Sequence, residues 1–187
     1  MERTISSETA FSGQLLDVTV DIVETSDGTK SRREIVHHPG GVVVLPLKDR
    51  ESTAEVVLVG QYRKTVEQFV WELPAGTLES GERPLDCAKR ELEEETGFRG
   101  EFWDRKVDLF TSPGYSDEVL TLYTATELDK VPPSKQATSP EDEKIEIRSF
   151  AQDRIYELAA SGKIQDGKTL AGLLYLILLD NRDSYSE

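Results

Sequence analysis

The chain has 187 residues, of which 36 are acidic and 22 basic, giving a net charge of -14, and 37% are hydrophobic. This length and apolar content suit one domain with a sizeable core, while the charge opposes binding to nucleic acid or to anionic membranes. One cysteine, Cys87, excludes an intrachain disulfide.

No charged-then-apolar leader opens the sequence. The longest apolar run, Leu170 to Leu179, is too short for a membrane span and contains Gly172. The expectation is a soluble protein of a reducing compartment, the cytoplasm, with no membrane partner.

Residues 1 to 38 are expected to form a small antiparallel β element. Leu16 to Val23 alternates apolar and polar, Ser26-Asp27-Gly28 gives a turn, and Arg32 to Val36 continues the pattern. Such an element is marginal alone and should pack on something, such as another subunit. His37 and His38 end the strand; adjacent histidines point to opposite faces, so ordinary hydrogen bonds suit them better than one shared metal.

Val42 to Leu47 and Ala54 to Arg63 are rich in β-branched residues and read as central strands covered on both faces. A looser segment then leads through Trp71 and Glu72 to Pro74. Pro84 at a first helical position and Gly97 as a left-handed stop bracket a helix. Leu85, Ala88 and Leu92 share one face of it, with Glu91, Glu94 and Glu95 on an edge beside them and Glu93 turned away to solvent. Carboxylates three and four apart repel by about 0.2–0.5 kcal/mol per pair. Either the edge is a solvated acidic face, with Asp86 and Glu94 placed four residues either side of Arg90, or its missing partner is a divalent cation. Cys87, inside this helix, suits a small buried thiol rather than a nucleophile.

Glu101 to Phe110 and Val119 to Ala125 read as strands around a structured turn at Ser112 to Glu118. Ser134 to Lys144 is expected to be a mobile loop, followed by a strand to Phe150. Helices follow near Asp153 to Ser161 and from about Thr169 to Leu179, where Leu170, Leu173, Leu174, Ile177 and Leu178 suggest core packing. The order gives an α+β chain, a mixed sheet between helices.

Gly76, Glu82, Arg90, Glu91, Leu92, Glu94, Glu95, Gly97 and Phe98 match G-x5-E-x7-R-E-U-x-E-E-x-G-U, U being apolar. The stretch resembles the Nudix box, with aromatic Phe98 at a position more often aliphatic. The resemblance implies a Nudix fold, an α/β/α sandwich, over residues 39–187, with 1–38 as an N-terminal antiparallel element. It implies hydrolysis of a nucleoside diphosphate linked to another moiety, using Mg²⁺, or Mn²⁺ or another divalent cation. Glu91, Glu95 and the Ala75 carbonyl would be metal ligands, with Glu94 completing the cluster or holding water. Arg90 would orient the carboxylates, and Glu82 would support the loop or serve proton transfer.

Pro113, fifteen residues beyond Phe98, resembles the marker of the ADP-ribose pyrophosphatase subgroup. Gln61-Tyr62-Arg63, Trp71 to Gly76 and Glu141 to Ile147 also resemble that subgroup. The likeness implies cleavage of ADP-ribose to AMP and ribose 5-phosphate, with Arg33, Arg63, Glu118 and Glu72 binding substrate. Glu141 or Glu143 would activate or position the attacking water. It further implies a homodimer in which residues 1–38 reach the partner's site. Alternatives are a hydrolase of another nucleoside diphosphate sugar, such as GDP-mannose, or a non-catalytic sensor of ADP-ribose-like ligands.

Overall fold

The structure, a computed structural model, describes residues 1–49, 55–132 and 145–184, with side chains as far as 178. The expected loop at Ser134 to Lys144 lies outside them. The chain divides into two units: Met1–Gly40 with Phe110–Leu120, and Gly41–Leu109 with Thr121–Glu187.

In the first unit, strands β1 (Arg3–Ser12), β2 (Asp17–Glu24) and β3 (Lys30–His37) form an antiparallel sheet in that order. The β2–β3 turn is closed by Asp27, whose Oδ1 accepts hydrogen bonds from Thr25 Oγ1 and the Thr29 N–H at 2.5 and 3.0 Å. Gly28 takes the left-handed conformation the turn needs, at φ 82°. Little of this sheet is buried: Val23 and Asp21 are, but β1 is exposed along its length. The Ser112–Glu118 turn lies beside β3, where Ser116 bridges Val36 in parallel, the Val36 N–H donates to the Tyr115 carbonyl (2.8 Å) and the Asp117 N–H to the Val36 carbonyl (3.2 Å).

The second unit is built on β4 (Gly41–Leu47) and β5 (Val56–Arg63), whose continuous apolar runs are buried through all of β4 and the first six residues of β5. Each fully buried Val or Leu contributes about 1.5–3 kcal/mol, so the stable core lies here. The strand order is β10 (Glu146–Phe150), β5, β4, β9 (Val119–Lys130), β8 (Phe98–Phe110), with β6 (Gln68–Glu72) paired to β5 and β7 (Ala75–Thr77) to β4. The segment expected to be loose thus contains strand β6, and β7 follows directly after it.

Helix α1 (Pro84–Thr96) packs Cys87, Ala88 and Leu92 against Val42 and Val44 of β4 and Tyr123 and Ala125 of β9. Leu85 sits at the margin of that cluster. Helix α3 (Gly167–Ser184) also packs on β4 and brings Gly172 close to Leu73 and Leu122. Helix α2 (Gln152–Ala160) precedes it, with Ile155 and Leu158 buried. The arrangement is an α+β fold, a mixed sheet between helices. One expectation fails on α3: Leu173 is buried, but Leu170, Leu174 and Leu178 are 38%, 57% and 55% exposed. These three recur every fourth residue, on the side of the helix turned from the sheet.

Candidate active site

Strand β7 and helix α1 together position the acidic edge. Gly41, Val42 and Val43 pair with Thr77, Gly76 and Ala75, which fixes the backbone from Ala75 to Thr77 beside β4. Pro84 starts α1 without a side-chain cap, and Gly97, left-handed at φ 68°, ends it by donating its N–H to the Glu93 carbonyl (2.8 Å).

Arg90 organises the carboxylates around it. Its Nε and Nη2 donate to the two oxygens of Glu82, each at 3.0 Å. Nη1 donates to Glu91 Oε1 (2.6 Å) and Glu94 Oε2 (3.1 Å), and Nη2 reaches the Thr77 carbonyl at 3.4 Å. The guanidinium holds the Glu82 carboxyl down to a pKa of about 2, and Glu82 in turn raises that of Arg90. Glu82 also accepts the Glu79 N–H (3.1 Å), so it supports the loop, the structural alternative of the two expected for it. Asp86 pairs with Arg83 rather than Arg90. Glu93 is not left to solvent: Arg99 binds it through two hydrogen bonds of 2.6 and 2.8 Å. The Cys87 thiol is buried and pushed up to about 12 by desolvation, which makes it inert at neutral pH.

Glu91 lies across Gly76 so closely that a Cβ there would stand 1.9 Å from its carboxyl carbon. Burial raises its pKa. Glu95 accepts the Ala75 N–H at 3.1 Å, its one hydrogen bond among the described residues, and burial pushes its pKa up to about 8. Among the described residues no three His, Cys, Asp or Glu groups converge on a metal-binding point, and Arg90 binds both Glu91 and Glu94. The donors nevertheless fit a hard divalent cation. Glu95 is a buried carboxylate without a cationic hydrogen-bond partner, and the Ala75 peptide and the Glu91 and Glu94 oxygens flank it on β7 and on the same helix.

A second cluster lines a cleft of about 600 Å³ between the β5–β6 hairpin and the start of α3. Arg63 donates to both oxygens of Glu72, at 2.7 Å from Nε and 2.9 Å from Nη2. Lys168 reaches the same carboxylate and also Asp166 (3.1 Å). Burial opposes ionisation of Glu72, but the Arg63 hydrogen bonds and the Lys168 charge outweigh it and keep its pKa below the usual value. Asp166 caps α3 by accepting the Thr169 N–H (2.9 Å) and hydroxyl (2.6 Å), while the Thr169 hydroxyl oxygen accepts the Leu73 N–H (2.8 Å). Sequence reasoning missed Asp166, Lys168 and Thr169. The signal was present: an aspartate three residues before Thr169 is a helix N-cap pattern.

Of the other expected site residues, Arg33 and Glu118 belong to the first unit. Arg33 binds Glu2 (2.5 and 3.2 Å) and Ser31 (2.8 Å). Glu118 accepts from Thr111 (2.6 Å) and lies 3.6 Å from His38 Nδ1. His37 Nδ1 is 2.6 Å from Asp117 and its Nε2 3.0 Å from Thr19, so each histidine has its own partners, as expected. Glu141 and Glu143 lie outside the described residues. No helix among the described residues is long and apolar enough to cross a membrane.

A family model of the NUDIX domain matches residues 37–173. An ADP-ribose pyrophosphatase of Bacillus subtilis is 38% identical over 177 residues, covering 95% of this chain and 93% of that protein. A methanol dehydrogenase activator of Bacillus methanolicus is 40% identical over 177 residues, with the same coverage. A crystal structure of an ADP compounds hydrolase superimposes with a TM-score of 0.82 at 18% identity, covering 100% of this chain and 97% of that one.

Proposed function

We propose, for a chain that belongs to the NUDIX family, hydrolysis of the pyrophosphate bond of ADP-ribose to AMP and ribose 5-phosphate. The observation that carries this reading is the complete carboxylate edge, Glu91, Glu94 and Glu95, ordered by Arg90 and set against the Ala75 peptide. Similarity to an ADP-ribose pyrophosphatase over 95% of the chain supports the substrate.

Glu91, Glu95 and the Ala75 carbonyl would hold Mg²⁺ or another divalent cation, with Glu94 beside them. When bound, such a cation neutralises phosphate oxygens and makes hydroxide available near neutral pH. Arg90 orients Glu91 and Glu94 through charge-assisted hydrogen bonds. Arg63 binds phosphate oxygens, for which its forked guanidinium is suited, and Glu72 acts from beneath it. Arg33 and Glu118 contribute to substrate binding, and Glu141 or Glu143 positions the attacking water. The protein acts in the cytoplasm as a homodimer, with residues 1–38 as the dimerisation element and 39–187 as the hydrolase domain. Exposure of β1 along its length agrees with a partner for that element.

Incubation with Mg²⁺ and a panel of nucleoside diphosphate compounds tests the reading. Preferential turnover of ADP-ribose is expected. Preference for a guanine sugar would reassign the substrate, and tight ADP-ribose binding without turnover of any compound would make the protein a sensor.

A further inference from the structure

Glu72 is 2% exposed, yet it carries a charge on a wall of the cleft. A buried carboxylate is costly unless cations and hydrogen bonds satisfy it. Two cations do so from different elements: Arg63 from the end of β5, bidentate, and Lys168 from the first turn of α3. Lys168 is itself only 15% exposed and is held by Asp166, which is fixed by Thr169, which takes the Leu73 N–H. Hydrogen bonds therefore run without a break from α3 to the guanidinium on β5. They also reach the strand connection that delivers Ala75.

Arg63 is 41% exposed, and a long side chain so placed would ordinarily sample many rotamers. The Glu72 fork fixes the plane of its guanidinium before any ligand arrives, which removes an ordering cost from binding. The Arg63 and Lys168 charges also act on Glu95, so the cleft is within electrostatic reach of the acidic edge.

We propose that Glu72 and Lys168 are positioning residues that hold the Arg63 guanidinium at the cleft for the anionic part of a nucleoside diphosphate substrate. The proposal rests on the functional reading above. Lys168 acts through Glu72, and Glu72 acts through Arg63.

The test compares Lys168→Met, Lys168→Arg, Arg63→Ala and the Arg63→Ala/Lys168→Met double variant, assayed with Mg²⁺ and ADP-ribose. Lys168→Met is expected to raise KM about tenfold with kcat within about twofold of wild type. Lys168→Arg should restore KM. In the Arg63→Ala background, Lys168→Met should add nothing, because its effect passes through the arginine. An unchanged KM, a fall in kcat alone, or two losses that multiply would overturn the proposal. Should Lys168→Met fail to fold, Glu72→Gln keeps the side-chain shape and must give the same pattern. An independent arm follows the Arg63 Nε–H signal by NMR, expected to be protected from solvent exchange in the wild type and not in Lys168→Met; persistence in the variant also overturns the proposal. A wild type that turns over no nucleoside diphosphate sugar would sink the functional reading alone, leaving the Arg63 signal to decide whether Lys168 holds Arg63.

Discussion

Gly76 shows how one absent side chain shapes the acidic edge. A methyl group there would collide with the Glu91 carboxyl at 1.9 Å, and Glu91 would have to leave both Gly76 and Arg90. The displaced group is the end of a flexible side chain, so Gly76→Ala should cost only about 1 kcal/mol of stability while reducing kcat by on the order of 100-fold. Thermal melting and steady-state kinetics would check both numbers. Glu95 makes a different prediction, about pH. Its pKa is raised from 4.5 to about 8 in the folded chain by burial, so between those values the folded state keeps a proton that the unfolded state has lost. Stability from this group is complete below 4.5 and is lost as pH rises through about 8. In chelator, Tm should therefore fall from about pH 5 to about pH 8. Glu95→Gln should remove that component, and Mg²⁺ should offset it. The carboxylate edge itself was legible from spacing alone, because α1 obeys its 3.6-residue period. Which partner each carboxylate takes was not: Arg90 chooses Glu82 across the loop over Asp86 one turn away, and Arg99 claims Glu93 from beyond the helix.

At the scale of elements, α3 carries a glycine where helix propensity disfavours one. Gly172 is buried against Leu73, and a Cβ would come within 2.4 Å of Leu73 Cδ1. Alanine gains about 1 kcal/mol of helix propensity, but overpacking a fully buried leucine costs about 1–3 kcal/mol, so Gly172→Ala should destabilise the protein by about 1 kcal/mol. A lower denaturant midpoint at unchanged slope would confirm it, and a higher one would show that the core yields. The strands with long apolar runs and the helix bounded by Pro84 and Gly97 could be read from the sequence, since local chemistry decides them. Strands β6 and β7 could not. The Gln68–Glu72 segment becomes a strand by pairing with β5, and three residues from Ala75 gain strand geometry only beside β4. The stripe of Leu170, Leu174 and Leu178 was misread for a related reason: helical spacing says which residues share a face, not which face meets the sheet.

The whole molecule divides unevenly between a sheet with little core and a well-packed second unit. The sequence placed a β element at residues 1–38, but the first unit also takes in Phe110–Leu120, through backbone pairing between positions about 80 residues apart that no local pattern could reveal. An element with this little buried surface is marginal alone. Light scattering is therefore expected to give a dimer at assay concentration; a fully active monomer would remove the dimerisation role of residues 1–38.

The proposed hydrolysis of a pyrophosphate bond rests on the Glu91, Glu94 and Glu95 edge. Its most direct test is to identify the products formed from ADP-ribose in Mg²⁺ by the wild type and by Glu95→Gln, with both shown to be folded. AMP and ribose 5-phosphate are expected in equal amounts from the wild type, with the rate reduced by roughly 100- to 1,000-fold in the variant. Equal rates from the two proteins, or no cleavage by the folded wild type, would contradict it.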